Sequence, residues 1–233
     1  METTFARPTT TPRVLRTHPV LESWERADHP DQRRLRTYLD EVEALADACV
    51  PVSSGRLAIE LIVGLPGNLT LTKGGRDLDN YLMPIARRIG AGRLDAAFAR
   101  KRHAETSTFA VSVAVRADGL PCEPQLRVRT KGSSESSAWK QQIHDACSAV
   151  VSAPLPQGPV ALCIRFRVSS QRNWSTLWKP AIDALGPLLG MADPGKPFRP
   201  DDDRVVDLAL HRVIDDALSH DVDIAVWWRQ LSI

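Results

Sequence analysis

The 233-residue sequence lacks the motifs of the common nucleotide-binding and metal-binding folds. It contains neither a GxxxxGK loop nor a GxGxxG turn, so nothing in it indicates a nucleotide site. Its four cysteines include no CxxC pair, and no histidine stands at zinc-ligand spacing from them. The six histidines occur in no recognised nucleophile motif. We expect the cysteines to be buried, reduced thiols.

A long apolar run is also missing. No stretch approaches the ~20 apolar residues that a membrane-spanning helix needs. The N-terminal METTFARPTTTPR has no apolar core of the kind a signal peptide carries. We therefore expect a cytoplasmic protein with no membrane partner. Thirty lysines and arginines face 28 aspartates and glutamates, and this balance neither indicates nor excludes a nucleic-acid-binding surface.

Hydrophobic patterning predicts the same order of elements twice, after a segment (1–30) that we interpret as a flexible N-terminal arm. Each half reads as a helix, a strand, a polar loop, a second helix and a hairpin. The first half has predicted helices at 31–49 and 78–90, a strand at 56–64, and a hairpin at 109–115 and 125–129. The second has predicted helices at 135–151 and 174–190, a strand at 159–168, and a hairpin at 204–213 and 221–228.

Residue identities recur between the halves at a nearly constant spacing. Asp47-Ala48-Cys49 returns as Asp145-Ala146-Cys147, and Arg76, Pro84 and Gly90 return as Arg172, Pro180 and Gly186. Two unlike α/β domains with chance identities are the alternative. The pattern favours a mixed α/β protein made of two tandem copies of one unit, at 31–131 and 132–233.

The segment RDLDNYLMPIARRIG carries the clearest candidate for chemistry. Asp77 and Asp79, followed by Asn80, stand at the start of a predicted helix. One short acidic side chain there can simply cap the helix. Two carboxylates and an amide, preceded by Lys73 and Arg76 in a glycine-rich loop, are typical of oxygen ligands for a divalent cation. Such a cation can activate water and stabilise the leaving group of a phosphodiester.

The second half contains a different part of the acidic pattern. Aligned with the first half, it has Asn173 and Ser175 in place of the two aspartates, and Lys179 in place of a methionine. The run Asp201-Asp202-Asp203 precedes its predicted hairpin, where the first half has only Asp95. Adjacent carboxylates repel one another unless they are solvated or bound to a cation. A solvated acidic turn and a metal site are therefore the two interpretations.

These motifs resemble the RusA family of Holliday junction resolvases. In the first half the DxDN part of the family pattern and its following proline are matched by Asp77, Asp79, Asn80 and Pro84. In the second half the remaining positions are matched by Lys179-Pro180, Asp183-Ala184-Leu185, and Asp201-Asp202 with Val205 and Leu208. RusA resolvases are homodimers that bind four-way DNA junctions and nick two opposed strands with magnesium. The resemblance covers about 31–228 and implies a RusA-like pseudo-dimer within one chain.

Neither half holds a whole acidic set, which leaves two interpretations. If ligands come from both halves, the resemblance implies one composite site with Mg²⁺ or Mn²⁺ as cofactor. The second site, related to it by the symmetry of the pseudo-dimer, would then be inactive. If each half builds its own site, both are incomplete and the protein only binds. The implied catalytic residues are Asp77, Asp79, Asp202 and Lys179, and the implied metal ligands are Asp77, Asp79, Asp201 and Asp202.

Basic and amide side chains around the acidic motif are the predicted contacts to nucleic acid. They are Lys73, Arg76, Asn80, Arg87, Arg88, Lys101, Arg102 and Lys131. We expect branched or structured DNA as the partner and Mg²⁺-dependent endonuclease activity. The alternatives are an inactive RusA-like DNA-binding or regulatory subunit, and a scaffold that assembles with partner proteins.

Overall fold

The computed structural model describes residues 3–21, 29–49, 55–117, 122–191, 193 and 195–232. Over these residues the fold is mixed α/β, with one large mixed sheet. The helices are α1 (Pro30–Cys49), α2 (Leu78–Ile89), α3 (Ser137–Val150), α4 (Trp178–Asp183) and α5 (Gly186–Leu189). The strands are β1 (Thr4–Phe5), β2 (Arg13–Val14), β3 (Leu57–Leu65), β4 (Leu94–His103), β5 (Thr108–Val113), β6 (Arg116–Ala117), β7 (Leu126–Thr130), β8 (Val160–Val168), β9 (Val205–Ile214) and β10 (Val222–Gln230). None of the described helices is long and apolar enough to cross a membrane.

The large sheet has eight strands in the order β2-β5-β3-β4-β9-β8-β10-β7. The pairs β3–β4 and β8–β9 are parallel, and β4 and β9 meet antiparallel at the centre. On one side of this centre β5 pairs with β3 and β2, and on the other side β10 pairs with β8 and β7, all antiparallel. The two sides of the sheet therefore have the same sequence of pairings.

The helices cover one face of the sheet and share one hydrophobic core with it. Val42 of α1, Ile85 of α2 and Trp139 of α3 belong to the same buried cluster as Ile59 and Leu210 of the sheet. The central strands are buried on both faces, and for this reason β3 (LAIELIVGL) is apolar almost throughout.

The N-terminal segment lies across the opposite face of the sheet. Phe5 packs there with Phe98, and its backbone N–H donates to Nδ1 of His211 at 3.2 Å. Arg7 bridges Glu60 at 2.6 Å and Asp207 at 2.5 Å. In place of a flexible arm, residues 3–21 thus supply two short strands and buried contacts. Residues 1–2 and 22–28 of the predicted arm lie outside the described residues.

Several sequence-based predictions are wrong. Among the described residues neither predicted hairpin forms. The strands in 109–115 and 125–129 do not pair, because β5 pairs with β3 while β7 pairs with β10, and those in 204–213 and 221–228 do not pair, because β8 lies between β9 and β10. Residues 94–103, for which the sequence pattern predicted no helix or strand, form the central strand β4. The helix predicted at 174–190 is divided into a 3₁₀ turn, α4 and α5. The cysteines are not uniformly buried, since Cys122 is exposed; the side chain of Cys49 lies outside the described residues.

Candidate metal centre

Two segments of the chain carry the acidic residues: the loop that leads into α2 and the 3₁₀ turn that leads into β9. Asp77 is the N-cap residue of α2, and its side chain makes no capping hydrogen bond. Asp79 lies in the first turn of the same helix. Asp202 begins the 3₁₀ turn that leads into β9, and α2 packs against both β4 and β9. The pairing of β4 with β9 therefore places carboxylates from both halves at one end of the central strands.

Three carboxylates meet at this place. One oxygen from each of Asp77, Asp79 and Asp202 lies within 4.8 Å of the other two. Asp79 is only 1% exposed, and its Oδ2 has no hydrogen-bond partner among the described residues. A buried carboxylate oxygen without a partner is costly, since no water or donor replaces its lost hydration. The three oxygens are spaced as ligands of a single cation could be.

Burial and the charge of neighbouring acids raise the pKa of two of these carboxylates, Asp77 and Asp79. Burial raises the pKa of Asp79 to about 6, and the charge of Asp202 acts in the same direction against the opposing ammonium of Lys179. The pKa of Asp77 rises to about 7, again through burial first and the Asp202 charge second. A bound cation would reverse both effects, because it favours the ionised form of each ligand.

Lys179 supplies the positive charge of the cluster. Its Nζ lies 2.7 Å from Asp202, 3.1 Å from Asp183 and 3.7 Å from Asp77. Burial alone would lower the pKa of this lysine, but the charges of Asp79, Asp202 and Asp183 outweigh it and raise the pKa above its ordinary value. The ammonium is therefore charged at neutral pH and ion-paired with the acids.

A second set of contacts holds the two loops together. Asp203 accepts hydrogen bonds from the backbone N–H groups of Gly75 and Arg76 at 2.8 and 2.7 Å. Lys101 Nζ donates to the carbonyl oxygens of Arg76 and Asp203 at 3.1 and 2.7 Å. Asn80 Nδ2 donates to Asp77 Oδ2 at 2.9 Å and orients that carboxylate. The cluster is thus fixed by the loops of both halves.

Sequence reasoning identified most of the acidic cluster. The structure brings together Asp77, Asp79, Asp202 and Lys179 of the predicted catalytic set. Asp201, predicted as a fourth ligand, lies outside the group that meets, and its carboxylate sits beside Gly190 and Arg204 instead.

Two acids of the site were missed as functional residues. Asp183 was visible only as part of the DAL pattern, and its position one helical turn after Lys179 was the available signal. Asp203 was visible as the last member of the acidic run, but only the fold reveals that it binds backbone N–H groups of the other half.

The predicted nucleic-acid contacts fall into three groups. Lys73, Arg87, Arg102 and Lys131 are exposed, and Arg76 and Asn80 are partly exposed beside the acids. Arg88 is exposed but ion-paired with Asp40 and Glu43 of α1. Lys101 is 4% exposed, and burial lowers its pKa to about 8. Its prediction as a surface contact is wrong, because β4 is a central strand and its side chain points under the loops.

A polar cleft of about 480 Å³ adjoins the acids. Thr72, Lys73 and Gly74 form one wall, and the segment from Pro200 to Arg204 forms the other. The cleft therefore gives solvent and ligands a path to the side of the cluster that carries Asp202.

The chain matches no known protein-family model and no curated protein sequence.

Proposed function

We propose that the chain is a divalent-metal-dependent nuclease of branched or structured DNA, built as a fused pseudo-dimer that resembles RusA resolvases. The observation that carries the proposal is the meeting of Asp77, Asp79 and Asp202 within 4.8 Å, with one buried oxygen of Asp79 left without a partner. These acids come from the two different halves of the sequence, as the composite-site interpretation requires.

The residues fit a hard divalent cation. Carboxylate oxygens are the ligands that Mg²⁺ and Mn²⁺ prefer, and Mg²⁺ is commonly bound through few carboxylates together with waters and substrate phosphate oxygens. Asp77, Asp79 and Asp202 would hold the ion, which would give the unpartnered oxygen of Asp79 a partner. When bound, the ion supplies positive charge for the phosphodiester and lowers the pKa of a coordinated water.

The chain's own residues supply the remaining functions. Lys179 carries a charged ammonium within 4 Å of two of the acids, where it can stabilise charge that develops on a phosphate. Asn80, Asp203 and Lys101 keep the ligands in place through their hydrogen bonds. Exposed Lys73, on the wall of the adjoining cleft, is placed to contact the DNA backbone.

The pseudo-dimer proposal is supported by equivalent positions in the two halves of the sheet. β3-α2-β4-β5 and β8-α4-α5-β9-β10 have the same connections and pairings. Phe98 and Ala209 are the fifth residues of β4 and β9, and they pair with each other. An element that pairs with its own equivalent is expected where a two-fold axis passes. Because β7 pairs with β10, we now place the boundary between the units before β7 and not at 131.

A second candidate function is DNA binding without cleavage. The observation that favours it is the 2.7 Å contact between Lys179 and Asp202, in which an ammonium already neutralises part of the acidic charge. If that ion pair is permanent, the lysine replaces the metal and the chain is a binding or regulatory subunit.

A cleavage assay separates these functions. A labelled four-way junction is incubated with wild type, Asp79→Asn, Asp202→Asn and the matched control Asp145→Asn, whose side chain is exposed on α3 and is not part of the acidic cluster. Wild type and control should cut with Mg²⁺ or Mn²⁺, whereas the two site variants should bind the junction and leave it intact. Equal cutting by all four proteins would contradict the proposed site. Binding without cutting by wild type would leave the binding subunit, and absence of binding would leave the scaffold.

A further inference from the structure

The fold contains a second position equivalent to the acidic cluster, which we call the mirror position. It comprises Asn173 and Ser175 together with Ala91 and Gly92. Asn173 is the N-cap residue that corresponds to Asp77, and Ser175 corresponds to Asp79. Ala91 and Gly92 are the first two residues of the 3₁₀ turn before β4, as Asp202 and Asp203 are before β9. No carboxylate remains at any of these four places.

The polar groups of the mirror position are engaged with one another. Oδ1 of Asn173 accepts hydrogen bonds from the backbone N–H of Ser175 at 3.2 Å and from its hydroxyl at 2.9 Å. The carbonyl oxygen of Ala91 accepts from the indole N–H of Trp174 at 2.9 Å. Trp174, which is fully buried, therefore donates a hydrogen bond to the turn in which an acid equivalent to Asp202 would have to lie.

A guanidinium is bound to the turn of the mirror position. Arg212 and Lys101 are the eighth residues of β9 and β4, and both donate to the carbonyl oxygen of the equivalent turn residue, Gly92 or Asp203. Arg212 is 3% exposed and pairs with Asp95 at 3.0 Å. The carboxylate of Asp95 is thus already paired with a buried guanidinium. A divalent cation at the mirror position would meet the charge of Arg212, and none of the four residues there offers a carboxylate.

We infer from this geometry that the chain cuts one strand of each DNA molecule it binds. The inference rests on the proposed nuclease function and specifies its product. At the acidic cluster one water is consumed and one phosphodiester bond breaks, which leaves a phosphate monoester and a hydroxyl. A strand held at the mirror position is bound and left intact. The product is therefore a junction nicked in one strand, and a second cut requires release and rebinding in the other orientation.

Metal binding tests the single site without DNA. Mn²⁺ is titrated into wild type, the double variant Asp77→Asn/Asp202→Asn, and Asn173→Ser, which keeps a capping side chain at the mirror position. Circular dichroism confirms that each variant is folded. We expect the double variant to lose all binding and Asn173→Ser to bind as wild type does. Binding of an ion by the double variant would overturn the inference, while absence of binding by wild type would overturn the proposed function and the inference with it.

Strand cutting tests the product. A supercoiled plasmid with an extruded inverted repeat is used in excess over protein, and unlabelled junction is added as a trap after binding. We expect nicked circles as the first product, and the trap should suppress linear plasmid. Linear plasmid that forms as fast as nicked circles, and that resists the trap, would show paired cuts and overturn the inference. Plasmid that stays supercoiled would refute the nuclease function itself.

Discussion

Removal of the buried charge of Asp79 should stabilise the metal-free protein. Burial and the neighbouring acid raise the pKa of this carboxyl from 3.8 to about 6. A carboxyl whose pKa is higher in the folded state holds its proton more tightly when folded, so ionisation destabilises the fold. This destabilisation is absent below the unfolded-state pKa, develops as pH rises from about 4 to 6, and is complete above that range.

The size of the effect follows from the pKa difference. Two units correspond to roughly 3 kcal/mol at pH 7.5, since each unit is about 1.4 kcal/mol. Asp79→Asn removes the charge, but the new amide occupies a place where Oδ2 has no partner. An unpaired buried polar group costs about 1–3 kcal/mol. We therefore expect a net gain of about 0–2 kcal/mol, or a melting temperature up to about 8 °C higher for a chain of this length.

Magnesium should reverse the order of stability. At a free concentration one hundred times the dissociation constant, a cation bound only to the folded state adds about 2.7 kcal/mol to wild type and little to the variant. Thermal unfolding is measured at pH 7.5 in EDTA and in Mg²⁺, with Asp145→Asn as the control that should follow wild type. The gain of the variant in EDTA should shrink at pH 4. A variant that is less stable than wild type in EDTA, or that gains equally from Mg²⁺, would refute the assignment of Asp79 as a strained metal ligand.

Three further outcomes follow from the same structure. Burial, with the charges of two nearby arginines, lowers the pKa of His211 from 6.5 to about 3. As pH falls, the imidazole is therefore protonated in the unfolded chain before it is protonated in the folded protein. Up to roughly 5 kcal/mol of stability is lost as pH falls from 6.5 to 3. Urea unfolding across that range should show a flatter profile for His211→Gln. Lys179→Ala should bind Mn²⁺ more tightly, because the ammonium no longer competes for Asp202, yet cut DNA more slowly; equal affinity by calorimetry would contradict the competition. The double variant Lys73→Glu/Arg102→Glu should bind the junction more weakly. The slope of log affinity against log salt concentration, measured by gel shift from 50 to 200 mM salt, should fall by the equivalent of about two phosphate contacts. An unchanged slope would place the DNA elsewhere.

Much of the local structure could be predicted from sequence patterns. Apolar spacing located α1, α2, α3 and the buried strands β3, β8, β9 and β10 to within a few residues. β4 was missed because LDAAFARKRH is rich in alanine and charge and poor in β-branched residues. Its strand state is set by its neighbours β3 and β9, which no local pattern reports. The pairing of β7 is likewise a long-range contact, with β10 as the partner.

The residues of the site could be predicted better than their arrangement. The sequence indicated Asp77, Asp79, Asp202 and Lys179, but left open whether the halves share one site. That question depends on the antiparallel pairing of β4 with β9, which brings the two loops together. Lys101 was predicted on the surface for the same reason that β4 was missed: without the central strand, its burial beneath Asp203 could not be inferred.

The most direct test of the composite metal site is a crystal structure of the protein soaked with Mn²⁺, with the ion located by its anomalous scattering. We predict one site, bound by Asp77, Asp79 and Asp202, with Lys179 displaced from its contact with Asp202 and no anomalous peak beside Asn173 and Ala91. A structure at saturating Mn²⁺ with no peak among the three carboxylates, and with Lys179 still bound to Asp202, would contradict the account.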